Sequence, residues 1–251
     1  MTLPNFKTLS YTTEEDVATI TLLNSFSDMT MIKELTAVCD HLEDVNPCAV
    51  VVLRGSEERF NLGINFSDFR RDAPMDIHGF NKWERICTRI ERLPKVSISV
   101  LEGGVIGGGF QLSLVTDVRI ASPEAYFQLP ELKQGFLPGM AVFRMAKYIG
   151  LGRAKRLILQ CARISAQEAQ EMGVVDVVSE DLNAALQQSI ASFRPIHPVS
   201  IQLARRLLNE SYHDSFEDAI GHFLAAQHRA VLQSAFLNTL RQAKDSDDDK
   251  I

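Results

Sequence analysis

Five glycines occupy seven consecutive positions in GGVIGGG (103–109), and the chain then turns apolar through FQLSLV with a glutamine at 111. Glycine tolerates backbone conformations other residues avoid and lets another backbone or a ligand approach closely. Two readings are therefore open. The glycines permit tight packing, or they aim a backbone N–H at a carbonyl oxygen that gains charge during a reaction. Nucleotide binding is disfavoured, because the spacing matches neither GxxxxGK[ST] nor GxGxxG. Gln111 stands on an otherwise apolar segment, where a buried amide needs partners, and we read it as facing a pocket. Further along, LPELKQGFLPG (129–139) sets Glu131 directly after Pro130. That carboxyl either caps the next turn or carries chemistry.

These residues need elements to hold them. VATITLL (17–23) alternates and is β-branched, as a strand does, and PCAVVVLRG (47–55) is an apolar strand ending at Gly55. The segment 31–44 places Ile32, Leu35, Val38 and Leu42 at helical spacing. KWERICTRIERL (82–93) is an amphipathic helix stopped by Pro94 and followed by the strand KVSISVLEG. Ser165, Glu168 and Gly173 bracket a capped helix, with a strand after it. Alternation of strand and helix to about residue 180 predicts an α/β class. Beyond FRPIHPVS the chain reads as almost wholly helical, so we place a boundary near Pro195, giving an α/β core over 1–195 and a helical region over 196–251. A helical arm with an apolar face calls for a partner surface, usually another subunit.

Composition narrows the function. The 251 residues are 45% hydrophobic and carry a net charge of -6, which argues against nucleic acid. The acidic tail KDSDDDKI reads as a solvated, frayed end. No apolar run approaches the roughly 20 residues of a membrane span, and the first residues lack the pattern of a signal peptide. Cys39, Cys48, Cys87 and Cys161 have no CxxC spacing, which fits buried thiols in a reducing cytoplasm. No metal or redox cofactor is expected.

Taken together and in order, FNLG (60–63), GGVIGGGFQL, FQLPELKQGFLPG and RISAQEAQEMGVVD resemble the crotonase superfamily, the enoyl-CoA hydratases and isomerases. The resemblance spans about residues 15–245 and implies a spiral of ββα units with a C-terminal helical region that packs trimers or hexamers. It implies an oxyanion hole for the thioester carbonyl of an acyl-CoA or a phosphopantetheine-borne acyl group, with Leu62, before Gly63, and Gly108 as donors. Gly63, Gly107, Gln111, Pro138, Gly139 and His228 are the expected substrate contacts, and Glu131 the expected acid/base.

Hydratases of the family place two carboxylates at the positions of Gln111 and Glu131. An amide cannot take up a proton in catalysis, so the pattern here is similar to that of the isomerases, in which one base shuttles a proton along the acyl chain. Crotonase-like decarboxylases of polyketide pathways are the alternative. They need a cationic or histidine donor, and His228 falls near where they carry one, but they tend to lack the glutamate. A non-catalytic member is the third reading. The loop LLNSFSDMTMIKEL lacks the Arg-Pro pair of members that bind free CoA, which leaves an acyl carrier protein open as partner. The basic clusters 70–72 and 152–156, and the pair His78 and Lys82, are candidate contacts at the mouth or plain surface.

Overall fold

The computed structural model describes residues 3–45, 47–56, 59–66 and 77–248. The basic cluster 70–72 lies outside them. Two compact units divide the chain, Met1–Ala191 and Ser192–Ile251.

The first unit is α/β. Six strands form one sheet in the order β1 (Leu9–Glu14), β2 (Val17–Leu22), β3 (Val50–Gly55), β4 (Val96–Leu101), β6 (Val118–Ala121), β9 (Val177–Val178). Only β1 and β2 pair antiparallel; the remaining neighbours are parallel. Both faces of the central strands are covered, so β3 up to Leu53 and the whole of β4 read as unbroken apolar or small-polar runs rather than alternating ones. α1 (Met29–Asp44) begins at Asp28, whose carboxylate accepts the Met31 N–H at 2.7 Å. α2 (Ile77–Arg92) starts five residues earlier than the sequence suggested and ends before Pro94. Both helices pack apolar faces onto the core, through Leu35, Val38 and Leu42 on α1 and Ile86, Cys87 and Ile90 on α2.

Three short strands, β5 (Gly104–Ile106), β7 (Tyr126–Gln128) and β8 (Arg163–Ser165), make a second small sheet. Half of the glycine-rich stretch is therefore strand. The other half opens α3 (Gly108–Ser113). α4 (Ala141–Gln160) is interrupted at Gly150, whose φ of 75° breaks the helix into two. α5 (Ala166–Met172) carries the expected capping box of Ser165 and Glu168, and Gly173 closes it at φ 84°. α6 (Leu182–Phe193) ends the core.

The second unit contains α7 (Pro198–Glu210), α8 (Phe216–Val231) and α9 (Ser234–Asp248). None of α7 and α8 is buried, and Leu203, Leu207, Phe223, Ala226, Ala230 and Phe236 line an apolar groove between the three helices. The acidic tail does not fray at its start: α9 runs on through Asp248. Glu210, Asp214 and His222 approach one another here, a cluster of metal-capable side chains that spacing alone did not suggest. Its members are already engaged, Glu210 by Arg206 at 3.0 Å and Asp214 by His222 at 2.8 Å. All four cysteines are buried and outside any disulfide, and burial pushes the Cys39 thiol up to about 12. No described helix is long and apolar enough to cross a membrane.

Candidate active site

The site begins where β3 ends. The following loop is stitched to its neighbours by its main chain, and its N–H groups can be accounted for one at a time. Asn61 N–H donates to the Gly104 carbonyl at 3.2 Å, and Leu62 N–H to Ser25 at 2.7 Å. Gly63 N–H donates to the Asn61 side-chain oxygen at 2.9 Å, and Asn65 N–H to Ser27 at 2.9 Å. Ile64 is left. It faces Ser27 in a parallel bridge that is held by the groups on either side of it, Gly63 C=O and Asn65 N–H, so its own N–H points off the ladder without an acceptor among the described residues. This corrects the expectation for Leu62, whose amide is already occupied. The available donor in this loop is Ile64.

The second loop lies against the first. Asn61 bridges Val105, and its carbonyl accepts the Ile106 N–H at 2.9 Å. Gly109 packs on that same carbonyl so closely that a β-carbon would stand 2.5 Å from it. A β-carbon on Gly63, which sits at φ 93°, would lie 3.8 Å from the Gly108 nitrogen. Gly107 takes φ 55°, donates to Gln128 at 2.9 Å and accepts from Gln111 at 3.0 Å. Gly108 is the first residue of α3, so its N–H has no partner within the helix and none elsewhere among the described residues. The Ile64 amide in the first loop and the Gly108 amide at the start of α3 are thus both unpaired among the described residues, and the loops approach at Gly63 and Gly108.

Glu131 completes this corner. It is 5% exposed and opens the 3-10 turn Glu131–Gln134, while Pro130 takes the cap position without a side-chain bond. The capping role is therefore not the one the carboxyl plays. Its Oε1 lies against Gly107, where a β-carbon would be 2.7 Å away, and its Oε2 is buried without a partner. Burial raises its pKa to about 7, offset only in part by a hydrogen bond from its own backbone. No charge among the described residues contributes to the shift. A buried carboxyl at that value holds and releases a proton near neutrality.

Gln111, 3% exposed, does not stand alone. Its side-chain N–H₂ donates to Glu84 on α2. Because a carboxylate can only accept, this contact fixes which end of the amide is which and leaves the Gln111 oxygen as an acceptor. Glu84 also accepts the Met140 N–H at 2.8 Å and pairs with the buried Arg144 at 3.3 Å, and Arg144 reaches Glu91 at 3.0 Å. Gly139, at φ 47°, presses on both ends of this contact, since a β-carbon there would lie 2.4 Å from Glu84 and 2.8 Å from the Gln111 oxygen. Pro138 beside it is buried. The structure therefore brings Gly63, Gly107, Gly108, Gln111, Glu131 and Gly139 together. His228 is exposed in the last turn of α8, in the second unit. His78, Lys82 and the cluster 152–156 are surface residues apart from buried Ala154. Phe66, Phe80 and Phe136 stack edge to face or tilted, with centroids 5.9 and 6.0 Å apart, and the Phe136 N–H donates to the Glu131 carbonyl at 3.1 Å.

Sequence reasoning missed Glu84 and Ile64. For Glu84 a signal existed: Glu84 and Glu91 are seven residues apart on one helix and share a face, an unusual place for two acids on a helix that packs on a core.

In this parallel α/β frame two loops with unpaired amides lie together, and a buried carboxyl lies against the second of them. The comparisons give the family. The enoyl-CoA hydratase/isomerase family pattern matches residues 12–244, and the chain belongs to that family, within the crotonase superfamily. It is 29% identical to an enoyl-CoA hydratase of Amycolatopsis orientalis over 81% of this chain and 90% of the other. It is 30% identical to a short-chain enoyl-CoA hydratase of Clostridium acetobutylicum over 82% of this chain and 83% of the other. A crystal structure of an enoyl-CoA hydratase from Bacillus anthracis superposes with a TM-score of 0.88, at 25% identity, covering 96% of this chain and 97% of that one.

Proposed function

We propose that this chain binds an acyl thioester, holds its carbonyl oxygen on the N–H groups of Ile64 and Gly108, and moves a proton with Glu131. The reaction this favours is double-bond isomerisation of an enoyl thioester. Removing a proton beside the carbonyl pushes negative charge onto the oxygen, where two preset donors are worth on the order of 3 kcal/mol each in the transition state. The same carboxyl then returns the proton further along the chain. The observation that carries the reading is Glu131 itself, buried against Gly107, without a charged partner and poised near neutrality.

Hydration is the second reading, and two observations favour it. The two relatives named above bear hydratase names, and Glu84 places a second carboxylate one hydrogen bond behind Gln111. In that case the Gln111 oxygen and Glu131 hold the water between them. The substrate is carried on CoA or on an acyl carrier protein, and no further cofactor takes part.

One panel separates these readings: but-3-enoyl-CoA, crotonyl-CoA and a malonyl-type thioester, each followed by mass spectrometry in heavy water. Isomerisation converts the first into the second with deuterium uptake that Glu131→Gln abolishes. Hydration adds 18 mass units in ordinary water, by simple addition of one water molecule. Loss of carbon dioxide from the third would replace both with decarboxylation, and deuterium uptake unchanged in Glu131→Gln would remove Glu131 as the base.

A further inference from the structure

Asn61 is fully enclosed, and only one end of its side chain is engaged. The side-chain oxygen accepts twice, from the Gly63 N–H at 2.9 Å and from the Ser27 hydroxyl at 3.3 Å. The other end, Nδ2, is buried without a partner. A buried donor left unpaired costs the fold stability. The nitrogen therefore adds nothing to the fold, and the use of this side chain lies in its oxygen.

Two peptide planes meet at Gly63, and that oxygen acts on both. The plane before Gly63 carries its N–H, which Asn61 takes up two residues on, as in an Asx-turn. The plane after it carries the Gly63 C=O and the Ile64 N–H on opposite sides of a trans peptide. The Ser27 N–H holds that C=O at 2.8 Å, which sends the Ile64 N–H the other way. Ser27 is in turn fastened by its hydroxyl to the same Asn61 oxygen. Asn61 thus fixes the first plane directly and the second through Ser27. Such a brace has work to do at a glycine, whose flanking peptides rotate more freely than those of any other residue. With the first plane loose, the Gly63 and Ile64 amides would be two unaimed donors in place of one aimed donor.

We infer that Asn61 is a positioning residue for the oxygen-binding site: its side-chain oxygen withholds the Gly63 N–H and keeps the Ile64 N–H aimed at the thioester carbonyl. The inference rests on the acyl-thioester reading above. Asn61 touches no substrate and acts only through Gly63, Ser27 and Ile64. A donor held in place beforehand needs no reorganisation when charge develops on the oxygen, and that is what the brace contributes.

The test reads the bound carbonyl itself. Butanoyl-CoA carrying carbon-13 at the thioester carbonyl is bound to the native protein, Asn61→Leu and Asn61→Asp, and its C=O stretch is recorded by infrared difference spectroscopy. Leucine branches where asparagine does and leaves the main-chain bonds of residue 61 in place, so what it removes is the oxygen. We expect the band to shift to lower frequency in the native protein and to lose about half of that displacement in Asn61→Leu, the share of one donor of two. Asn61→Asp should restore the native band, because a carboxyl oxygen accepts as the amide oxygen does. A band that Asn61→Leu leaves in the native position, even with a lower melting temperature, makes Asn61 a purely structural residue and overturns the inference, while the thioester reading stands. No restoration in Asn61→Asp overturns it too. A native band left where it is in free butanoyl-CoA overturns both. A second measurement needs no variant: in deuterated native protein labelled with nitrogen-15 at glycine and isoleucine, butanoyl-CoA should move the Ile64 amide proton downfield and leave that of Gly63 nearly in place. A Gly63 resonance that moves as far as that of Ile64 overturns the inference.

Discussion

Glu131 makes the chain less stable than it would be with a neutral group in its place. Unfolded, its carboxyl titrates near 4.5; folded, near 7. Between those values the folded chain keeps a proton that the unfolded chain has released, so stability falls as pH rises through the window and is level outside it. The full loss from this one group is roughly 3 kcal/mol at about 1.4 kcal/mol per pH unit. Glu131→Gln should therefore match the native protein in urea unfolding at pH 4.5 and exceed it by roughly 2–3 kcal/mol at pH 8, while turnover drops by about 10²–10⁴-fold. An equal stability difference at both pH values would mean that the carboxyl is not shifted. Glu131 stands out in the sequence by the order of Pro130, Glu131 and the 135–139 loop, and the structure adds that its carboxyl is buried with one oxygen unpaired. The direction of one amide was not legible in the sequence: whether Leu62 or Ile64 is free depends on a bridge to Ser27, thirty-odd residues away, and no property of either side chain reports it.

At the scale of elements, α2 is the piece whose role changes most between sequence and structure. Its amphipathic pattern accounts for Ile86, Cys87 and Ile90 in the core. The same helix also turns Glu84 toward Gln111 on α3 and Arg144 on α4, a three-helix contact that local periodicity cannot show. Arg144 is 5% exposed, so removing its partner leaves a buried charge short of compensation. Glu84→Ala should destabilise the fold by about 3 kcal/mol in urea unfolding. Glu84→Gln should recover part of that and still free the Gln111 amide to flip. If hydration is the reaction, turnover should fall in both variants; if isomerisation is, Glu84→Gln should change it little. Elements with a strong local signal, such as the capping box at Ser165, were readable outright. The three-residue strands β5, β7 and β8 were not, because strands that short are made by pairing rather than by propensity.

For the whole molecule, the helices α7 to α9 pose the question of assembly. Leu208, Phe216 and Leu224 are each more than half exposed, and an apolar face of this extent is normally covered. We propose that other copies of the chain cover it, as a trimer or hexamer. Sedimentation should then give a molar mass three or six times 28.0 kDa. Phe223→Glu, in the groove of the second unit, should lower that mass and the melting temperature together; a chain that sediments as a monomer would refute the idea. The site in the core raises a different matter of scale. Gly109 seats directly on the Asn61 carbonyl, and no side chain intervenes between the two strips of backbone. The gap between the two amides proposed to bind the thioester oxygen is thus a dimension of the scaffold, gauged by main chain on main chain. Exchanging Phe66, Phe80 or Phe136 would leave that gauge the same.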